Sequence, residues 1–285
     1  ATSRSEQRND AQGLIDAGFQ GVPEPAMIWG RPIVDNDMKF FVNFGADLGN
    51  GTEMYGYTNH NSKEVDGGFF YRNPINRPGV YQGTSDNILL NDDSDDYNYW
   101  LIGDMDGVDE GSACPEVRTN DNDMPLNAQE EADWAAVLAD DNCFAFQKTI
   151  PGGFTPRFGG KVTDQAFLFG LKGLTKGGLG WDVSTYYGKS KADFHINNSV
   201  NASLGALSPR NFDPGYYQQV DINYNADFTY SLSEDVNMAF GAEYRTEEFT
   251  IGAGQEESYI DGGLGSQGFS TSSNGFPGFP AATSG

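Results

Sequence analysis

The stretch Gln219 to Leu232, QVDINYNADFTYSL, alternates polar and apolar residues almost without a break. Gln219, Asp221, Asn223, Asn225, Asp227 and Thr229 form one set, and Val220, Ile222, Tyr224, Ala226, Phe228, Tyr230 and Leu232 the other. Successive side chains of a strand point to opposite faces, so an extended strand sorts these residues into a polar and an apolar face. A helix of period 3.6 would mix them. Two further segments repeat the pattern. In MKFFVNFGADL, Met38, Phe40, Val42, Phe44, Ala46 and Leu48 share one face. In VNMAFGAEYRTEEFTIG, Val236, Met238, Phe240, Ala242 and Tyr244 do the same.

These segments group into three hairpins, over 38–64, 165–196 and 216–252, each closed by a short turn such as Gly49-Asn50-Gly51. A 1–37 loop precedes them. The connections over 65–164 and 197–215 are long, and 253–285 is a further loop. The expected fold class is therefore all-β, an antiparallel up-and-down meander with short turns on one side and long loops on the other. The 37 glycines and 13% aromatic content agree with many turns and strands. Strands of ten residues or more, with one greasy face, match the strands of a partial transmembrane β-barrel. Trp181, Tyr224, Tyr230 and Tyr244 are expected near the strand ends, as an aromatic girdle. A soluble β-sandwich with one wet face is the alternative.

Charge narrows the partners. The formal net charge of −24 argues against nucleic acid, whose phosphates would repel it, and suits cations or solubility alone. No run of about 18 apolar residues is present, and no apolar leader segment is visible at the start. A mean hydropathy of −0.53 does not argue against a barrel, because alternation hides strands from averaged scales.

The first long loop has structure of its own. Asn127 caps an expected helix through NAQEEADWAAVLAD, with Glu130 three residues on, as in a capping box, and Trp134, Val137 and Leu138 on its apolar side. Cys114 and Cys143 flank this helix and are expected to form a disulfide. Closing that loop contributes about 3–4 kcal/mol in the chain-entropy picture. Asp92, Asp93, Asp95, Asp96, Asp104, Asp106, Asp109 and Glu110 offer hard oxygen ligands to Ca²⁺, although DMDGVDEG lacks EF-hand spacing; a solvated acidic loop is the competing reading.

Catalytic patterns are missing. Only two histidines occur, His60 and His195, and no metal-ligand spacing, G-x-S-x-G elbow or phosphate-binding loop is found. The chain is not expected to be an enzyme.

QGLIDAGFQGVPEPAMIWGRP, DGGFFYRNPINRPGVY, FTPRFGGKVTDQAFLFGLKG, INNSVNASLGALSPRNFDPG and FGAEYRTEEFTIGAGQEESY resemble the middle of the barrel of a TonB-dependent outer-membrane receptor. The resemblance extends over essentially the whole chain. It implies uptake of a siderophore, cobalamin or oligosaccharide across the outer membrane of a Gram-negative bacterium, driven through the TonB complex. Such transporters have 22 strands around a plugged lumen. No plug or TonB-box-like segment precedes the first strand, and six strands are too few to close, so the chain reads as a barrel segment.

Substrate is expected at Tyr71, Arg72, Asn73 and Arg77 in the loop after the first hairpin, and at Trp134 in the helical insert. Stacking and hydrogen-bonding groups of these kinds suit sugars or chelates, and turn packing accounts for them equally. Two other functions stay open. One is a fibre or surface-layer piece that self-associates through open sheet edges, with or without Ca²⁺. The other is a soluble β-rich domain that binds carbohydrate or cations.

Overall fold

A computed structural model describes residues 6–8, 11–29, 32–84, 98–106 and 114–285, with only the backbone at 6–8, 28–29 and 84. Six long strands dominate it: β1 (Ile33–Gly49), β2 (Thr52–Gly68), β3 (Arg157–Leu174), β4 (Leu179–Asn197), β5 (Phe212–Ser231) and β6 (Asn237–Gly252). They pair in chain order, all antiparallel. The strands run 16 to 20 residues, beyond the 38–64, 165–196 and 216–252 expected. The extra length lies at the long-loop end, where glycines and charges such as Asp66, Arg157 and Gly159 blur the alternation without breaking the hydrogen-bond ladder.

Short turns join β1 to β2, β3 to β4 and β5 to β6 at one end, and long connections leave from the other. The β1–β2 turn places Asn50 and Gly51 at φ 55° and 72°, the left-handed pair a two-residue hairpin requires.

Register fixes the faces. One transverse row runs Ala46, Met54, Leu171, Val183, Ala226, Ala242; the next on the same face runs Phe44, Gly56, Phe169, Thr185, Tyr224, Tyr244. On β5 this apolar face extends from Val220 to Tyr230, and Val220 lies between Lys189 and Glu248. That is about 33 Å along the strand and about 25 Å at a barrel-like tilt. The face is bare: Phe40, Phe167, Tyr187, Tyr224, Tyr230, Phe240 and Tyr244 are 39–65% exposed. With ~200 Å² per ring, on the order of 700 Å² of aromatic surface stands open, above the largest patch of an ordinary soluble monomer. The expected girdle is corrected in part. Trp181 and Tyr230 sit near the short-turn end, whereas Tyr224 and Tyr244 stack at 6.4 Å in mid-band.

The opposite face is mainly polar, with the Phe41–Tyr57 stack as an exception on β1 and β2. Tyr55 Oη donates to Asp182 (2.6 Å), Asn223 Nδ2 donates to Glu243 (2.7 Å), and Arg245 lies against Asp221 and Glu247. Toward the long-loop end the same face turns aromatic through Phe158, Phe194, Tyr217 and Phe249. Phe276 and Phe279 pack onto this row at 4.6 to 5.2 Å. The 253–285 segment is thus no free loop: it folds back over the polar face. Thr283–Ser284 then pair with Thr250 and Ile251. Among the described residues, β1 and the rest of β6 have no outer neighbour, and no closed barrel forms.

The core is not on the sheet. Val80, Tyr81, Leu101, Phe144, Phe146, Phe154, Val200, Ala202, Leu264 and Phe269 form one cluster drawn from all three long connections. Tyr81 anchors it with 0% exposure, its hydroxyl donating to Ile150 O at 2.8 Å. Residues before β1 add a small cluster in which α1 (Gln12–Asp16) supplies Leu14, against Ala11, Ala26 and Tyr71.

The expected helix is α2 (Ala128–Ala139), and the Cys114–Cys143 disulfide forms, with Cα atoms 5.6 Å apart. Asn127 accepts from Gln129 N and Glu130 N. Glu130 does not close the capping box. Its carboxylate accepts from Arg118 N (2.8 Å), because the strand Val117–Arg118 offers a nearer donor. Leu138, expected on the apolar side, is exposed. At the other end Lys148 Nζ donates to three carbonyls, Val137 O, Asp140 O and Cys143 O, at 2.7–3.0 Å. It adds a donor to carbonyls at and just past the helix end and carries the charge sign a helix C-terminus favours.

Lys148→Met keeps the stem and removes the three donors. It is expected to lower stability by about 2–3 kcal/mol in denaturant titration, with faster amide exchange confined first to the last turn of α2.

Candidate functional site

The long connections gather at one end of the sheet, and the residues expected to bind substrate sit among them. The loop after β2 is tied to the segment before β3 by a bridge between Arg72 and Phe154, with main-chain bonds of 2.7 and 3.1 Å. Gly153 makes this approach possible. Its φ is 71°, and a Cβ there would stand 2.2 Å from Arg72 O.

Tyr71 and Asn73 serve the loop itself. Tyr71 Oη donates to Gly152 O at 2.6 Å, and burial pushes its phenol well above the usual tyrosine range. Asn73 Oδ1 accepts from Ile75 N at 3.0 Å, the local turn that asparagine favours. Trp134 is also structural. It meets Trp100 edge-on at 4.9 Å, in the cluster of Trp100, Val117, Val137 and Cys143. Ile75 packs against the same cluster, so the 71–77 loop and the helical insert do meet, through an aliphatic side chain.

Arg72 and Arg77 are different. Arg72 is 5% exposed, and its Nη1 donates to Phe70 O at 3.3 Å. Arg77 Nη2 donates to Asn274 Oδ1 at 3.2 Å. Both Nε atoms are buried without an acceptor. Burial, and then the charge of Arg77, lowers the Arg72 guanidinium to about 10. Burial lowers Arg77 as well. Every ion pair among the described residues lies elsewhere.

Sequence reasoning passed over a third arginine. The Arg210 guanidinium lies 5.1 Å from the centre of the Phe154 ring and donates to Asn198 Oδ1. It borders an open cleft of about 560 Å³ with Phe146, Ile150, Val200, Asn198 and Ser208. That volume falls in the range of small-molecule sites. The signal for Arg210 was a basic residue in a turn-rich segment, SPRNFDP, of a strongly acidic chain. A second concavity, about 390 Å³, lies on the sheet near the short turns beside Glu53, Lys172, Asp182 and Asp227.

The calcium reading is only partly visible. Asp92, Asp93, Asp95, Asp96, Asp109 and Glu110 lie outside the described residues. Asp104 Oδ1 accepts from Asn142 Nδ2 (3.0 Å), a hydrogen bond inside the fold. Among the described residues no three acidic, histidine or cysteine side chains gather as a metal site, Asp104 and Asp106 included. His195 Nε2 stands 3.8 Å from Asp66, whose carboxylate is held at 2.7 Å by Arg157 Nε.

No family model, curated protein or solved structure matches this chain. Among the described residues no helix is long and apolar enough to cross a membrane, which leaves strands untouched.

Tyr71 and Tyr81 both have phenols raised by burial. Their neutral forms are favoured in the folded state, so the stability they contribute is complete below the ordinary tyrosine value near 10 and falls as pH rises above it. Unfolding midpoints are expected to drop above pH ~10, and a Tyr81→Phe variant to show a shallower drop.

Proposed function

We propose that this chain is a β-barrel segment of a TonB-dependent receptor, set in the outer membrane of a Gram-negative bacterium and serving nutrient uptake without a catalytic step. The observation that carries the reading is the pair of opposed faces on one sheet. A band about 25 Å high, apolar and bare, backs onto a face lined by Asp182, Asp221, Asn223, Asp227, Glu243 and Arg245. Lipid satisfies the first face and a hydrated or protein-filled lumen the second. Further strands along β1 and β6 would satisfy the edges. The gathered loops, with the arginines beside Phe154 and the cleft at Arg210, form the surface that meets ligand, of the siderophore, cobalamin or oligosaccharide class. The TonB complex is the partner this reading requires.

The open edges favour a second reading, a sheet that self-associates edge to edge into an extracellular layer. The two separate by mass and fractionation. A receptor segment is recovered with the outer membrane as part of a much larger species that needs detergent. A layer protein appears in the medium without detergent, in units near 31.0 kDa.

Two adjacent substitutions probe the faces. Val183→Arg places a charge in mid-band and is expected to cost about 2–4 kcal/mol and to reduce outer-membrane recovery strongly. Ser184→Arg, on the polar face, is expected to leave recovery near that of the unaltered chain. Equal recovery of the two variants would sink the lipid-facing assignment.

A further inference from the structure

Arg72 is buried and Arg77 half-buried, close enough for the charge of one to act on the other, and among the described residues neither has an anion in a chain of net charge −24. Each guanidinium carries five N–H donors and no acceptor. Among the described residues Arg72 uses one donor on Phe70 O, Arg77 uses one on Asn274 Oδ1, and both acceptors are neutral. Buried charges are as a rule paired, because an uncompensated one bears its full desolvation cost. Here a second like charge adds to it. Carboxylates are plentiful, at 41, so a partner was easy to supply from within; the local acceptors are amides instead. Gly275 lies beside Arg72. A Cβ built there would sit 2.5 Å from Ile196 Cδ1 and 3.9 Å from Arg72 Nη2, and its φ of 139° keeps the position to glycine. Gly275 therefore puts no side chain of its own against Arg72.

We propose that Arg72 and Arg77 form a binding site for an oxyanion group, a carboxylate or phosphate carried by the captured ligand. Two forked guanidiniums match the paired oxygens of such a group, and charge-assisted bonds of this kind are about twice as strong as neutral ones. Asn274 offers Arg77 a weak neutral acceptor that the ligand oxygen replaces. The inference deepens the receptor reading and rests on it only for the ligand's route to the site.

The test uses the purified full chain in detergent, with inorganic phosphate, glucuronate and glucose as probes at constant ionic strength. Calorimetric titration and the unfolding midpoint are read together. Saturable binding of phosphate or glucuronate, with a raised midpoint and no response to glucose, is expected. Phosphate acting alone identifies a free oxyanion; glucuronate acting alone identifies a carboxylate on a larger ligand. Asn274→Asp places a carboxylate beside Arg77. It is expected to raise the midpoint in anion-free buffer and to weaken anion binding at least tenfold. Arg77→Gln retains a donor toward Asn274 and is expected to weaken binding to the same extent. The proposal is overturned if no anion binds saturably, if glucose binds as well as glucuronate, or if either variant keeps the unaltered affinity. Binding is read apart from fractionation, so failure here leaves the receptor reading standing, and failure of the receptor reading leaves the binding result intact.

Discussion

The antiparallel hydrogen-bond ladder between long strands carries this structure, because neither broad face of the sheet has a layer packed along its length. In an ordinary soluble domain a sheet buries one face and the ladder follows from that burial. Here the register runs from Arg157 opposite Asn197 to Leu174 opposite Gly180 with no interruption, while the side chains on both faces, buried Ile196 apart, stay partly or fully open. Strands without a packed face are stable when lipid covers one side, or when neighbouring strands continue the ladder. That single constraint links the apolar band, the polar face and the open edges.

What holds the sheet's upper end is the loop core. Tyr81, Phe144, Phe146 and Phe154 meet in tilted and edge-on pairs at 5.0 to 6.3 Å, and Phe276 and Phe279 extend aromatic packing down onto β3, β4 and β5. The long connections therefore behave as a folded cap. The disulfide and the three-carbonyl grip of Lys148 fasten α2 to that cap. A rigid cap is the condition for a binding surface built from loops, since side chains on a loose loop lose their geometry to conformational entropy.

Against that background the arginines mark the chemistry. Tyr71, Asn73 and Trp134 stabilise the cap through their own turns and ring contacts, so their exchange would be felt as lost stability. Arg72, Arg77 and Arg210 contribute cations that the fold does not neutralise. In a strongly acidic chain they form an electropositive exception, and their burial raises the strength of any contact with an anion.

Alternation in QVDINYNADFTYSL and its two companions was enough to determine strands, faces, hairpin pairing and the end at which the short turns lie, because period-two patterning and turn chemistry are local properties. Asn127 at its helix and the two cysteines were legible for the same reason. The tertiary structure decided what depends on distance in space. Glu130 turned to Arg118 N, Tyr224 and Tyr244 fell in mid-band by register, and 253–285 folded back to place Phe276 and Asn274 against residues up to 200 positions away. Whether Arg72 and Arg77 meet a carboxylate or an amide is a fact of packing between distant segments. No run of residues along the chain encodes it.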